Sequence, residues 1–174
     1  MKIIAFAKSG LTAFLLATLM PLNLALAQTI SLQGVNAPPI EVSVADLAAL
    51  PRSSVALTIH GEGHTFEGPL LASVLGKVDA PLGDRLRGAA LRSYVVVRAA
   101  DGYAVVLSLA EVDPAMRGQA ILLADKVDGR PIGDEDGPYR LIVEGDARPA
   151  RSARQVTSVA IMEAQTGLAD PTLH

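Results

Sequence analysis

Tyr94-Val95-Val96-Val97-Arg98-Ala99-Ala100-Asp101-Gly102-Tyr103-Ala104-Val105-Val106-Leu107 reads as one β-hairpin. Residues 94–97 and 103–107 are rich in β-branched and aromatic side chains, which suit a pleated, half-buried surface. Asp101-Gly102 between them is a strong turn signal, because Gly accepts the positive φ that tight hairpin turns demand. This part of the chain is therefore committed to antiparallel pairing. The segments on either side repeat the same economy of short strands separated by turns.

Towards the N-terminus, Ile30-Ser31-Leu32-Gln33 alternates apolar and polar residues as a half-buried strand does. Pro38-Pro39 marks a turn, and residues 40–42 form a second short strand. Ser43-x-x-Asp46 opens a predicted helix over residues 44–50, which Pro51 stops. Residues 55–59 are β-rich and run into Gly61 and Gly63, residues 65–69 read as a turn, and Leu70, Leu71, Val74 and Leu75 have helical spacing. Residues 79–92 carry Pro81, Gly83 and Gly88 and have room for another short helix. Towards the C-terminus, Ser108-x-x-Glu111 is a capping box, residues 120–124 an apolar strand, and Asp128-Gly129 a turn. Residues 139–143 and 156–161 are the last strands, and residues 164–174 read as a frayed tail. No regular βαβ alternation and no internal repeat is visible. The expected class is α+β, with a mixed, mostly antiparallel sheet and short helices.

The first residues have a different logic. Lys2 and Lys8 precede an apolar run over residues 11–19, then Pro21 and the small-x-small pattern Ala25-Leu26-Ala27. That order is a signal peptide over residues 1–27, cleaved after Ala27, and it predicts a periplasmic or secreted protein. The run is short for a bilayer span, and no later run is long enough. Residues 28–174 then form one expected domain. The chain is acidic, with net charge −3, no Trp and 3% aromatic residues. It lacks the clustered cations that nucleic-acid binding requires. It also has no cysteine. That excludes disulfides, thiolate metal ligands, thioether-linked haem, iron–sulfur ligation and cysteine nucleophiles.

Several pieces, in order, resemble the oxidoreductase molybdopterin-binding domain family, whose fold is shared with sulfite oxidase. Val44-Ala45-Asp46-Leu47-Ala48-Ala49-Leu50-Pro51 is similar to an early helix ending in Leu-Pro. Thr65-Phe66-Glu67-Gly68-Pro69-Leu70-Leu71 opens a stretch similar to the family's Phe-x-Gly segment. Val97-Arg98-Ala99-Ala100-Asp101-Gly102-Tyr103 resembles its strand ending in Asp-Gly-Tyr. Ile121-Leu122-Leu123-Ala124, Asp128-Gly129-Arg130-Pro131-Ile132 and Gly137-Pro138-Tyr139-Arg140-Leu141-Ile142-Val143 resemble its hairpin and Gly-Pro-x-Arg-Leu region. The resemblance covers most of residues 30–163 and points to a small exported branch of the family. Two departures stand out. Catalytic members bind molybdenum through a Cys on the segment that here reads Thr58-Ile59-His60-Gly61-Glu62-Gly63-His64. Glu144 also follows Val143 where the family often has Pro.

The resemblance implies a molybdopterin cofactor and a periplasmic redox or signalling partner. It places Arg151, Ser152 and Arg154 on a basic-Ser-x-basic stretch that holds the pterin phosphate, with Asp101 and Tyr103 beside the pocket. Guanidinium forks and a hydroxyl suit a dianion. The same arginines, with Arg148, also balance Asp134, Glu135, Asp136, Glu144 and Asp146 on a solvated loop. Asp101 has a second reading as a turn residue, and Tyr103 as a core residue. Separately, His60, Glu62 and His64 sit at i, i+2 and i+4. On a continuous strand they share one face and offer metal ligands, whereas Gly61 and Gly63 favour a hydrated loop. Ser108 reads as a helix cap, and His174 as an idle terminal residue.

Three functions follow. One is an oxidoreductase whose molybdenum is held by the pterin alone. The second is a binding module for a small anion or a protein partner. The third is a metal-binding protein using His60, Glu62 and His64. The absent thiolate shifts weight from the first to the second, because a protein ligand tunes a metal's electronics and fixes its coordination.

Overall fold

The computed structural model describes residues 28–59 and 61–165. The expected signal peptide, His60, and the tail from residue 166 through His174 lie outside the described residues.

β1 (Thr29–Gln33) and β2 (Ile40–Ser43) pair antiparallel, with Ile30 opposite Val42. Helix α1 (Val44–Ala48) begins where the Ser43 hydroxyl accepts the Asp46 N–H at 3.1 Å. β3 (Arg52–Ile59) and β4 (Glu62–Pro69) then form a hairpin paired from Arg52–Pro69 to Ile59–Glu62. The expected turn over residues 65–69 is therefore the second half of a strand. Gly68 and Pro69 look like turn residues, but Gly68 serves packing instead. A Cβ there would run into the Leu123 carbonyl and lie 2.6 Å from Ala124 Cα.

Helix α2 (Leu71–Leu75) buries Leu71, Val74 and Leu75, as their spacing requires. The room for another helix is filled by three 3-10 turns, Gly76–Val78, Gly83–Arg85 and Gly88–Arg92. β5 (Ser93–Ala99) and β6 (Ala104–Ser108) form the hairpin expected around Asp101-Gly102. Its loop is closed by the Ala99 N–H donating to the Tyr103 carbonyl at 2.9 Å, with Gly102 at φ +87°. Helix α3 (Leu109–Val112) carries the full capping box, Ser108 accepting the Glu111 N–H and Glu111 accepting the Ser108 N–H. β7 (Ile121–Ala124), β8 (Lys126–Val127), β9 (Arg130–Pro131), β10 (Arg140–Val143) and β11 (Val156–Glu163) complete the chain.

The strands assemble into a five-stranded sheet ordered β2-β1-β11-β5-β6, a four-stranded sheet ordered β3-β4-β8-β9, and the pair β10-β7. Only β1 and β11 run parallel; every other described pairing is antiparallel. The fold is α+β with mostly antiparallel sheets and short helices, as the sequence predicts.

Burial explains the position of β7 and β10. All four β7 residues are buried, and their alternation feeds two cores. Ile121 and Leu123 join the larger core with Leu141 and Val143 of β10. Leu122 and Ala124 face a smaller core with Val55, Phe66, Ile132 and Ile142. A strand buried on both faces reads as a continuous apolar run, which residues 121–124 are. No helix among the described residues is long and apolar enough to cross a membrane.

Candidate functional site

A cavity of about 890 Å³ opens beside the smaller core, where the end of β4, the tip of the β5–β6 hairpin and the segment before β11 meet. Phe66, Val127 and Ile132 give it an apolar wall. His64, Asp101, Tyr103, Ser152 and Arg154 also line it, and these are five of the eight residues singled out from the sequence.

Each is placed by its local structure. Asp101 accepts the Tyr103 N–H at 2.8 Å, so turn chemistry holds its carboxylate at the hairpin tip. Tyr103 is 49% exposed and is not a core residue; its hydroxyl donates to the Ala150 carbonyl at 2.8 Å. That bond ties the hairpin tip to the 3-10 turn Pro149–Arg151 along the cavity edge. Ser152 is buried, with its hydroxyl 3.5 Å from the Val143 N–H. Arg154 is largely exposed and donates from Nη1 to Asp136 Oδ1 at 3.1 Å.

Arg151 does not join them on the cavity wall. Its Nε and Nη2 fork onto Asp146 at 2.9 and 2.6 Å, and its Nη1 donates to Glu111 at 3.0 Å. All three guanidinium nitrogens are thus committed to carboxylates. The Asp146 and Glu111 bonds push the Arg151 pKa up, and Arg151 in turn holds the Asp146 carboxyl below its ordinary range. Burial alone would raise Glu111, but the Ser108 N–H, the Arg151 guanidinium and the Ser108 hydroxyl outweigh it and keep it low. Arg151 ends the 3-10 turn Pro149–Arg151, whereas Arg154 lies beyond that turn and lines the cavity.

Arg140 lines the cavity as well, and its sequence context did not mark it as a site residue. Its side chain is only 12% exposed. Nη1 donates to Asp136 Oδ2 at 2.7 Å, and the guanidinium carbon lies 5.3 Å from the Phe66 ring centroid, within cation–π range. Its Nε is buried with no hydrogen-bond partner among the described residues. Burial pushes its pKa down while Asp136 opposes the shift. Asp136 therefore bridges two arginines, and Asp101 and Glu135 add two further carboxylates to the cavity lining. The signal was present in the sequence as one cation directly preceding the apolar run Leu141-Ile142-Val143.

His64 Nδ1 lies 2.8 Å from Asp128 Oδ2, while Asp128 Oδ1 accepts the Thr65 N–H at 2.8 Å. His64 Nε2 is 3.9 Å from Glu62 Oε2. The Glu62 side chain is 83% exposed and does not line the cavity. Gly61 (φ +87°) forms the turn, and both Glu62 and His64 lie on the regular strand β4. Among the described residues no group of three or more His, Asp and Glu side chains is arranged to hold a metal ion.

No family model matches the chain, and no curated protein matches it. Among solved structures it is similar to the sulfane dehydrogenase SoxCD from Paracoccus pantotrophus, with a TM-score of 0.59 and 14% sequence identity. The match covers 78% of this chain and 38% of that one, so the chain spans well under half the length of its structural neighbour. At this identity the likeness is one of fold. It supports the molybdopterin-oxidoreductase-like fold expected from the ordered sequence pieces, without reaching the particular branch.

Proposed function

We propose that this protein is a ligand-binding module on a molybdopterin-oxidoreductase-like fold, and that its cavity holds a small organic anion. The observation that carries the reading is the Arg140–Asp136–Arg154 cluster on the cavity wall, beside the apolar surface of Phe66, Val127 and Ile132. A volume of about 890 Å³ lies within the usual range for small-molecule sites. A half-buried guanidinium is held in place before a ligand arrives, and its attraction for an anion is less screened there than on open surface. The apolar wall suits the rest of such a ligand.

The residues do not fit a molybdenum centre with a protein thiolate. The chain has no cysteine, and Arg151, which the family resemblance assigned to the pterin phosphate, is occupied by Asp146 and Glu111. A coarser redox-related reading draws on the likeness to a dehydrogenase. Export through the sequence-predicted signal peptide, and a periplasmic redox or signalling partner for the loaded module, belong to the same proposal.

The test starts with protein purified from its native compartment, analysed for molybdenum by elemental analysis and for pterin by fluorescence after oxidation. Neither is expected; stoichiometric molybdenum with pterin would return the protein to the enzymes. Benzoate and phosphate are then titrated calorimetrically. Benzoate should bind, because it offers a ring to the apolar wall and a carboxylate to the arginines. Arg140→Gln and Arg154→Gln should each weaken binding about tenfold or more, the scale of one lost charge-assisted hydrogen bond. Unchanged affinity in both variants would remove the arginine cluster from the site.

A further inference from the structure

We infer that His64 and Glu62 hold a divalent transition-metal ion at the rim of the cavity, with Asp128 fixing the imidazole. This metal site is separate from the anion site and uses none of its arginines.

The orientation of His64 comes first. Asp128 is itself pinned, since one oxygen accepts the Thr65 N–H while the other faces His64 Nδ1 at 2.8 Å. A carboxylate acceptor at Nδ1 puts a proton there, and in the neutral tautomer Nε2 then carries the lone pair. A metal-bound histidine is ordinarily held in this manner, with its second nitrogen donating to a carboxylate that fixes both tautomer and ring plane. His64 thus has the supporting contact of a metal ligand already built. Asp128 keeps its place because the β8–β9 turn holds it at φ +50° beside Gly129.

Nε2 faces a second carboxylate. Glu62 Oε2 lies 3.9 Å away, on the same face of β4 two residues earlier. In that neutral tautomer these two atoms are both acceptors. The gap is too long for a direct hydrogen bond. It does match two metal–ligand legs of about 2.0–2.2 Å meeting at a wide angle. Glu62 is mostly exposed, so closing to a tetrahedral angle asks for a shift of about half an ångström in a free side chain.

One imidazole and one carboxylate select a borderline ion such as Zn²⁺ or Cu²⁺ over Ca²⁺ or Mg²⁺, which prefer all-oxygen sites. Two protein ligands leave coordination positions open. Because His64 also lines the cavity, those positions are within reach of water or of an anion bound there.

The test uses protein stripped with a chelator and desalted. Zn²⁺ is titrated calorimetrically, and Co²⁺ serves as a visible-absorbing probe of coordination. One equivalent of Zn²⁺ should bind. His64→Ala should weaken it at least tenfold, Glu62→Gln should weaken it similarly, and Asp128→Asn should weaken it about 10–100-fold, as loss of a supporting carboxylate does elsewhere. Glu62→Gln is an exposed change, and thermal unfolding in chelator should match the parent, so lost binding there is not lost folding. Binding that is absent in the parent, or that survives His64→Ala unchanged, overturns the assignment. Benzoate titrated in the presence of chelator reports the anion site independently, so the two readings can fail separately.

Discussion

Tyr139 belongs to the larger core, and its hydroxyl is a liability at the scale of a single group. The residue is fully enclosed, and its phenolic oxygen has no hydrogen-bond partner among the described residues. Burial, with the Asp125 carboxylate adding to it and Arg52 opposing, pushes its pKa up to about 12. A buried unpaired hydroxyl costs about 1–3 kcal/mol, so Tyr139→Phe is expected to stabilise the fold by about 1 kcal/mol rather than weaken it. The alkaline behaviour gives a second reading. The unfolded phenol ionises near pH 10 and the folded one near 12, so the folded state binds more protons in between and stability falls across that window. Denaturant midpoints measured from pH 8 to 12 should show a shallower loss in Tyr139→Phe than in the parent. A variant that is less stable at neutral pH would mean the hydroxyl has a partner after all. At this scale the sequence was partly legible. Asp101, Tyr103 and Arg154 were singled out because motif order put them near a pocket, and all three line the cavity. Arg140 was missed because a charge beginning an apolar strand gives no local sign of which cavity it enters. Arg151 shared a motif with Arg154, but Arg151 ends the 3-10 turn Pro149–Arg151 and is taken by Asp146 and Glu111, which spacing alone does not reveal.

Turns and caps are written locally, and the elements that rest on them were readable. The capping box at Ser108 and Glu111, the Ser43 cap and the hairpin around Gly102 all formed where the residue types required. The second half of β4 was not readable, since the property that makes Gly68 necessary lies in another strand. β4 passes so close to β7 that the Leu123 carbonyl and Ala124 backbone occupy the space of a side chain at residue 68. This also gives a physical reason for the glycine of the Phe-x-Gly stretch. Gly68→Ala meets backbone, which cannot rotate away, so the cost should reach or exceed the upper end of the roughly 1–3 kcal/mol typical of overpacking. Gly63, on the same strand, has no positive φ, and a Cβ added to it would meet nothing within 4 Å, so Gly63→Ala should stay within about 0.5 kcal/mol of the parent. Urea unfolding of the pair checks the contrast; equal midpoints would show that β4 can move away from β7 at little cost.

The two cores share one wall and are unequal, and this governs how the whole molecule opens. The larger core draws on both strands of the β5–β6 hairpin, on β1, β2 and β11, and on helices α1, α2 and α3. The smaller core rests on Val55, Phe66, Leu122, Ala124, Ile132 and Ile142, and β3 contributes only Val55 as a fully buried residue. Local opening free energy follows buried apolar contact, so the β3–β4 hairpin should open below the global unfolding free energy while β5 and β11 open only with it. The cavity lies on the smaller-core side, where Phe66 and Ile132 belong to both. A ligand that binds only the closed form stabilises it by RT ln(1 + [L]/Kd), about 2.7 kcal/mol at a hundredfold excess over Kd. Hydrogen exchange should therefore find β3–β4 amides faster than those of β5 and β11 in the free protein. Saturating benzoate should slow the hairpin roughly a hundredfold and leave the five-stranded sheet changed only where exchange runs through global unfolding. Leu122→Ala removes the residue that faces the smaller core from β7, at a cost of about 2–5 kcal/mol, and should speed hairpin exchange more than Leu123→Ala, whose side chain faces the larger core. Equal protection of the two sheets in the free protein would mean that β7 and β10 couple the cores into one cooperative unit, and the cavity would then open only when the whole fold does.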